Sequence, residues 1–186
     1  MAGEPTTRPF TVDEYYRMAE AGILGEDDRV ELLDGEIVQM SPVGVPHSAC
    51  VDLLTHALEA VRRHAATIRI QSPVRLGEYS EPEPDVAVLR GEPRDYARRH
   101  PGPADTLLVV EVADTSLLYD RRRKVPAYAR AGVPEAWLVD LPGGRVHVFR
   151  GPGADGYESA TVLAATYVLT IEAIPEVRIP VRAILP

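Results

Sequence analysis

Thr106-Leu107-Leu108-Val109-Val110-Glu111-Val112-Ala113 is the stretch on which the reading of this chain turns. Aliphatic and β-branched residues run through it with a single charged interruption, and Pro101-Gly102-Pro103 fixes its start, so it reads as a strand buried on both faces. Pro84-Asp85-Val86-Ala87-Val88-Leu89 has the same character. Each strand carries one carboxylate out of place: Asp85 opens the first and Glu111 stands near the close of the second. An ionised carboxylate in such surroundings is costly unless something pairs with it. A cation bound by both would remove that cost. Downstream, Asp120-Arg121-Arg122-Arg123-Lys124 opens an expected helix and supplies a lysine able to turn back toward the pair.

The rest of the composition bounds what such a pair could serve. At 186 residues, 45% hydrophobic and 26% charged, the chain is expected to form one α/β domain over residues 10–186, preceded by a flexible arm over 1–9. No apolar run reaches membrane-spanning length and the first residues resemble no signal peptide, so no membrane partner and a cytoplasmic address are expected. Cys50 is alone, which excludes an internal disulfide and a Cys-based zinc cluster. The net charge of −8 argues against general adhesion to nucleic acid. Positive charge is nevertheless clumped, at Arg62-Arg63-His64, around Arg94 and Arg98-Arg99-His100, and from Arg121 to Lys124.

Working outward, Thr11 with Glu14 three positions on forms a capping-box pattern, predicting a helix that buries Val12, Tyr15, Met18 and Ala19 and ends near Gly22. Arg29 to Met40 holds two apolar runs split by Asp34-Gly35, a hairpin signal with Glu31 in its first strand. His47, Val51, Leu54, Leu58, Val61 and Ala65 step by fours and threes, predicting a long helix from His47 to Ala65 with His47 heading its inward stripe. Thr67 to Leu76 reads as a strand, and residues 90–105 as an irregular connection. Asp120 to Ala131 reads as a helix stopped at Gly132, with Pro126 an awkward occupant. Glu135 to Asp140, Arg145 to Arg150 and Tyr157 to Leu163 read as strands, and the Pro-rich tail from Ile171 as packing along an edge. The order predicts a central mixed β-sheet flanked by helices.

Each acidic candidate has an ordinary explanation. Asp85 after Pro84 fits a turn residue. Glu111 could belong to a buried Glu–Arg pair, Asp120 and Lys124 could form a surface pair on a helix, and His47 could be a satisfied histidine at a helix start. Taken jointly they say more. Two carboxylates on neighbouring strand ends can hold Mg²⁺ or Mn²⁺, and a nearby ammonium can orient a nucleophile or offset charge on a phosphoryl group. No nucleophile elbow, phosphate-cradling Gly-rich loop or dinucleotide fingerprint is present.

These segments together resemble a known pattern: Glu31-Leu32-Leu33-Asp34-Gly35-Glu36, His47, Glu83-Pro84-Asp85-Val86, Val110-Glu111-Val112, Asp120 to Tyr128, and Gly132 to Asp140. The pattern is that of the bacterial Uma-type endonuclease family in the PD-(D/E)XK nuclease superfamily, and it spans nearly the whole chain. The resemblance implies a restriction-endonuclease-like fold, phosphodiester hydrolysis in DNA with Mg²⁺ or Mn²⁺, and a homodimer. It also implies that Asp85 and Glu111 bind the metal and that Glu31 assists, while His47, at the head of the inward helix stripe, is expected to face the site as an accessory. The superfamily lysine normally stands two residues after the Glu, and that position here is Ala113. Either Lys124 replaces it, or catalysis is impaired and the chain is a nucleic-acid-binding or assembly module on a nuclease fold.

Overall fold

The computed structural model describes residues 7–25 and 27–186. Along the chain run α1 (Val12–Glu20), β1 (Val30–Leu33), β2 (Glu36–Gln39), α2 (Val45–Leu58), β3 (Ala66–Ile70), β4 (Val86–Arg90) and β5 (Thr106–Ala113). A continuous helical segment follows, made of α3 (Leu117–Tyr119), a π-helical turn (Asp120–Lys124) and α4 (Val125–Ala131). The remaining strands are β6 (Glu135–Asp140), β7 (Arg145–Gly153), β8 (Gly156–Ala164), β9 (Val168–Ile171) and β10 (Ile174–Pro180).

Six strands form one mixed sheet in the order β3-β4-β5-β6-β7-β8, in which β5 and β6 are parallel and every other pair is antiparallel. Because side chains alternate along a strand, this sheet buries apolar residues on both of its faces. Val86, Val88, Val110, Val112, Trp137 and Val139 face one way, against Val51, Leu54 and Leu58 of α2. Val109, Ala113, Ala136 and Leu138 face the other way, against Val125 and Tyr128 of α4 and Val133 after it. Glu111 lies between Val109 and Ala113 and so shares the α4 face. β8 is an outer strand with most of its residues exposed.

Much of the local reading holds. The capping box at Thr11 and Glu14 is formed on both sides, and β1 and β2 are joined by Asp34 and Gly35 at φ of 52° and 77°. Gly132, at φ of 85°, ends α4 in the left-handed conformation glycine tolerates best. β5 and β6 have the expected bounds.

Four expectations are corrected. In α1 only Val12 is fully buried: Tyr15 and Met18 are half-buried and Ala19 is exposed, and the Tyr15 hydroxyl donates to the Val30 carbonyl at 2.9 Å, which keeps its polar end at the edge of the core. The helix expected to Ala65 stops at Leu58 and tightens into a 3₁₀ segment over Glu59–His64; Val61 keeps its inward position, while Ala65 is exposed at φ of 51°. The strand expected from Thr67 to Leu76 spans only Ala66–Ile70, since Gln71 at φ of 42° turns the chain out of the ladder. The tail does not run along an edge: β9 and β10 form their own two-stranded sheet, and Leu169, Ile171, Ile179 and Ile184 enter the core beside α2. Of the arm expected over 1–9, residues 1–6 lie outside the described residues; Arg8 pairs with Glu14 at 2.9 Å and Pro9 lies against Gly35. Among the described residues no helix is long and apolar enough to cross a membrane.

Candidate active site

Pairing between β4 and β5 sets Val86 opposite Val110, and the register continued by one residue puts Asp85 opposite Glu111. Asp85 precedes the ladder, so its carboxylate is held by local donors. Its Oδ2 accepts the Val112 backbone N–H at 2.8 Å, and its Oδ1 lies 3.0 Å from His47 Nε2. Position 47 falls in the first turn of α2, where the inward stripe brings the ring to the end of the sheet. The expected inward position of His47 is what the structure has.

Lys124 reaches the same place from the helix that links β5 to β6. Pro126 has no N–H, and in an unbroken α-helix its ring would press on the carbonyl four residues earlier. The chain relieves this with the π-helical turn over Asp120–Lys124, in which the Val125 N–H donates to the Asp120 carbonyl. Both Asp120 and Lys124 are buried by this turn. The Lys124 Nζ stands 2.8 Å from Glu111 Oε1 and 3.2 Å from Glu31 Oε2, with side-chain exposures of 7%, 6% and 3% for the three residues. It also donates to the Glu83 carbonyl at 3.4 Å, while the Glu83 N–H donates to Glu31 Oε2 at 3.0 Å. The first strand of the hairpin, the strand at Glu111 and the helix thus meet at one ammonium. Glu111 has a lysine partner and not the arginine of the ordinary reading. That ordinary arrangement does occur at Glu135, which is buried and takes Arg150 at 2.8 Å, Trp137 Nε1 at 2.8 Å and the Glu172 N–H at 2.7 Å.

Burial pushes the Glu111 carboxyl well above the usual carboxylate range; the Lys124 ammonium opposes this, and the charges of Asp85, Asp120 and Glu31 add to it. Burial pulls Lys124 down, but the carboxylates of Glu111 and Glu31 outweigh it and raise the ammonium above its ordinary value, which favours its charged form. His47 is raised by its hydrogen bond to Asp85, against a smaller opposing effect of burial. Burial likewise raises Asp120, with the Ser116 hydroxyl at 2.5 Å and Lys124 opposing it.

All five expected residues (Glu31, His47, Asp85, Glu111 and Lys124) line one cavity of about 470 Å³. Asp114 and Asp120 line it too. Sequence reasoning missed Tyr128, whose hydroxyl donates to Glu111 Oε1 at 2.5 Å. The signal was available: Lys124 and Tyr128 are four apart on a helix and therefore share a face. The carboxylate-rich lining is a hard-donor set suited to Mg²⁺ or Mn²⁺. Among the described residues no three His, Cys, Asp or Glu side chains converge as a ready ligand group. A cation held by Asp85 and Glu111 would therefore keep several waters, which is the habit of Mg²⁺.

A sequence model described as "Uma2: Putative restriction endonuclease" matches residues 12–182. The chain belongs to the Uma2 family. The match takes in every site residue named above. A solved crystal structure described as a putative nuclease belonging to DUF820, from Anabaena variabilis, superposes with a TM-score of 0.74. The two are 16% identical, and the alignment covers 95% of this chain and 97% of that one. At that identity the likeness speaks for the fold, which is the restriction-endonuclease-like arrangement of a mixed sheet between helices. No curated protein matches the chain. Within this Uma2 chain, position 113 faces α4 as Glu111 does, so a lysine there and one at 124 would approach from the same side of the sheet.

Proposed function

We propose that this Uma2 chain is a divalent-metal-dependent endonuclease that hydrolyses phosphodiester bonds in DNA. The observation that carries the reading is the meeting of Asp85, Glu111 and Lys124 at one cavity rich in carboxylates. Asp85 and Glu111 are the residues that would hold Mg²⁺ or Mn²⁺. Such an ion, when bound, polarises the scissile phosphate and lowers the pKa of a coordinated water.

The chain's own groups do the rest. The Lys124 ammonium offsets negative charge as it builds on the phosphoryl oxygens, in a site where little water screens it. Glu31 is a second carboxylate partner of that ammonium, at 3.2 Å, and helps to hold it at the site. His47 fixes Asp85 Oδ1, and the Val112 N–H fixes Oδ2, so the aspartate is oriented before any ligand arrives.

A supercoiled-plasmid nicking assay with Mg²⁺ or Mn²⁺ and a chelator control tests this. Wild type should nick, and Asp85→Asn, Glu111→Gln and Lys124→Ala should each lose at least the greater part of the activity while folding. Metal binding without cleavage of DNA would favour the binding or assembly module, in which Lys124 serves as an internal counter-ion only.

A further inference from the structure

One oxygen of Glu111 serves two donors. Oε1 takes the Lys124 ammonium at 2.8 Å and the Tyr128 hydroxyl at 2.5 Å. A carboxylate oxygen has about two lone-pair sites, so this pair of donors saturates Oε1. The Tyr128 ring is fully buried among Val109, Ala113, Val125 and Leu138, so the core fixes where its hydroxyl stands. A lysine alone is a poor orienter of a carboxylate, because its compact ammonium sits on a flexible stem and can settle between both oxygens. A phenol fixed by the core removes that freedom. Glu111 meanwhile lines the cavity, which leaves Oε2 as the oxygen to be offered there.

We propose that Tyr128 is a positioning residue: it clamps Glu111 Oε1 beside Lys124 so that Oε2 is presented to the divalent cation. This rests on the metal-dependent reading above. Tyr128 itself touches neither the cation nor DNA. Its effect runs through Glu111, in the way outer partners of metal ligands commonly orient them.

The experiment compares wild type, Tyr128→Phe and Tyr157→Phe. Tyr157 is the matched control: its hydroxyl also donates inside this core, to the Val133 carbonyl at 2.8 Å, and its ring also packs against Phe149. In chelator, with ¹³C-labelled glutamate and Glu111→Gln to assign the signal, the Glu111 carboxylate resonance should move in Tyr128→Phe and stay in Tyr157→Phe. In a Mn²⁺ titration, Tyr128→Phe should bind about 10–100-fold more weakly, while Tyr157→Phe keeps wild-type affinity and loses only stability. An unmoved Glu111 resonance, a Mn²⁺ affinity within about twofold of wild type, or equal effects of the two variants would overturn the proposal. Absence of saturable Mn²⁺ binding in wild type would overturn the metal reading instead, and the chelator arm would still decide whether Tyr128 holds Glu111.

Discussion

Replacing Lys124 by methionine removes the charge at the centre of the site while keeping most of the side-chain volume. Lys124 and both its carboxylate partners are at least nine-tenths buried, at 2.8 and 3.2 Å. Breaking a buried pair by removing one partner costs about 3–5 kcal/mol, because the other charge is left without compensation. For a chain of this size, about 1 kcal/mol corresponds to about 2–4 °C in Tm, so Lys124→Met should melt about 6–20 °C below wild type in chelator. The double variant Lys124→Met/Glu111→Gln should recover the part of that loss that comes from Glu111, since an uncharged pair of similar shape is often neutral or better, while Glu31 remains without its lysine. Mn²⁺ should also restore more stability to Lys124→Met than to wild type, because the cavity then holds carboxylates with no resident ammonium. Differential scanning calorimetry on these three proteins, with and without Mn²⁺, measures all of this. A single variant melting within about 2 °C of wild type in chelator, or a double variant no better than the single one, would refute the account of Lys124 as the counter-ion of Glu31 and Glu111.

Other outcomes follow from the same geometry. Mn²⁺ should raise the Tm of wild type and not of Asp85→Asn or Glu111→Gln, since a ligand stabilises only the state that binds it; equal shifts in wild type and Asp85→Asn would mean the cation binds elsewhere. Asp105 is held below the usual carboxylate range chiefly by the Arg99 guanidinium at 2.5 Å, with burial opposing and the Gly102 N–H assisting. A depressed folded-state pKa adds stability above the ordinary carboxylate range that is lost as pH falls through the lower value, so Asp105→Asn should flatten the acid limb of a urea-unfolding pH series. The exposed outer strand β8, with Val162 at 52% exposure, is an edge that a second copy could cover. Sedimentation should therefore give a homodimer at micromolar concentration, and Val162→Lys should yield monomer; wild type running only as monomer would remove this claim.

How far the sequence could be read depended on the range of each signal. The limits of β5 and β6, the Asp34-Gly35 turn, the box at Thr11 and the stop at Gly132 were legible because turn, cap and strand chemistry is written within a few neighbouring residues. Glu111 stood out for the same reason, as one charge in an apolar run. The end of α2 was not legible: Val61 sits three residues after Leu58 and satisfies a helical stripe whether the backbone is α or 3₁₀. The alternation of Pro with aliphatics in β10 showed that the tail packs, and not on which surface, because burial of Ile179 and Ile184 depends on α2 being there to receive them. The clustering of Glu31, Glu111 and Lys124 joins positions far apart in sequence. No periodicity reports such a contact: the cost of a buried charge called for a partner to Glu111 and made Lys124 a candidate, and only the family pattern added Glu31.

The alanine at 113 and the lysine at 124 are two sides of one arrangement. Ala113 is fully buried and packs with Val125 and Tyr128, the residues on either side of the Pro126 turn that face the sheet. A lysine at 113 would thrust its stem into that contact and hold α4 away from β5. With alanine there, the helix lies close enough on the strand for Lys124 to reach Glu111 directly. Pro126 then sets the phase: its missing N–H favours the π-helical turn that buries Asp120 and Lys124 together. Pro126→Ala restores an α-helical donor and should let the turn relax toward regular α-helix, rotating Lys124 off Glu111. That variant should show the Glu111 carboxylate resonance of Lys124→Met and not of wild type. A wild-type resonance in Pro126→Ala would mean that packing against β5, with no help from the proline, is enough to set the lysine in place.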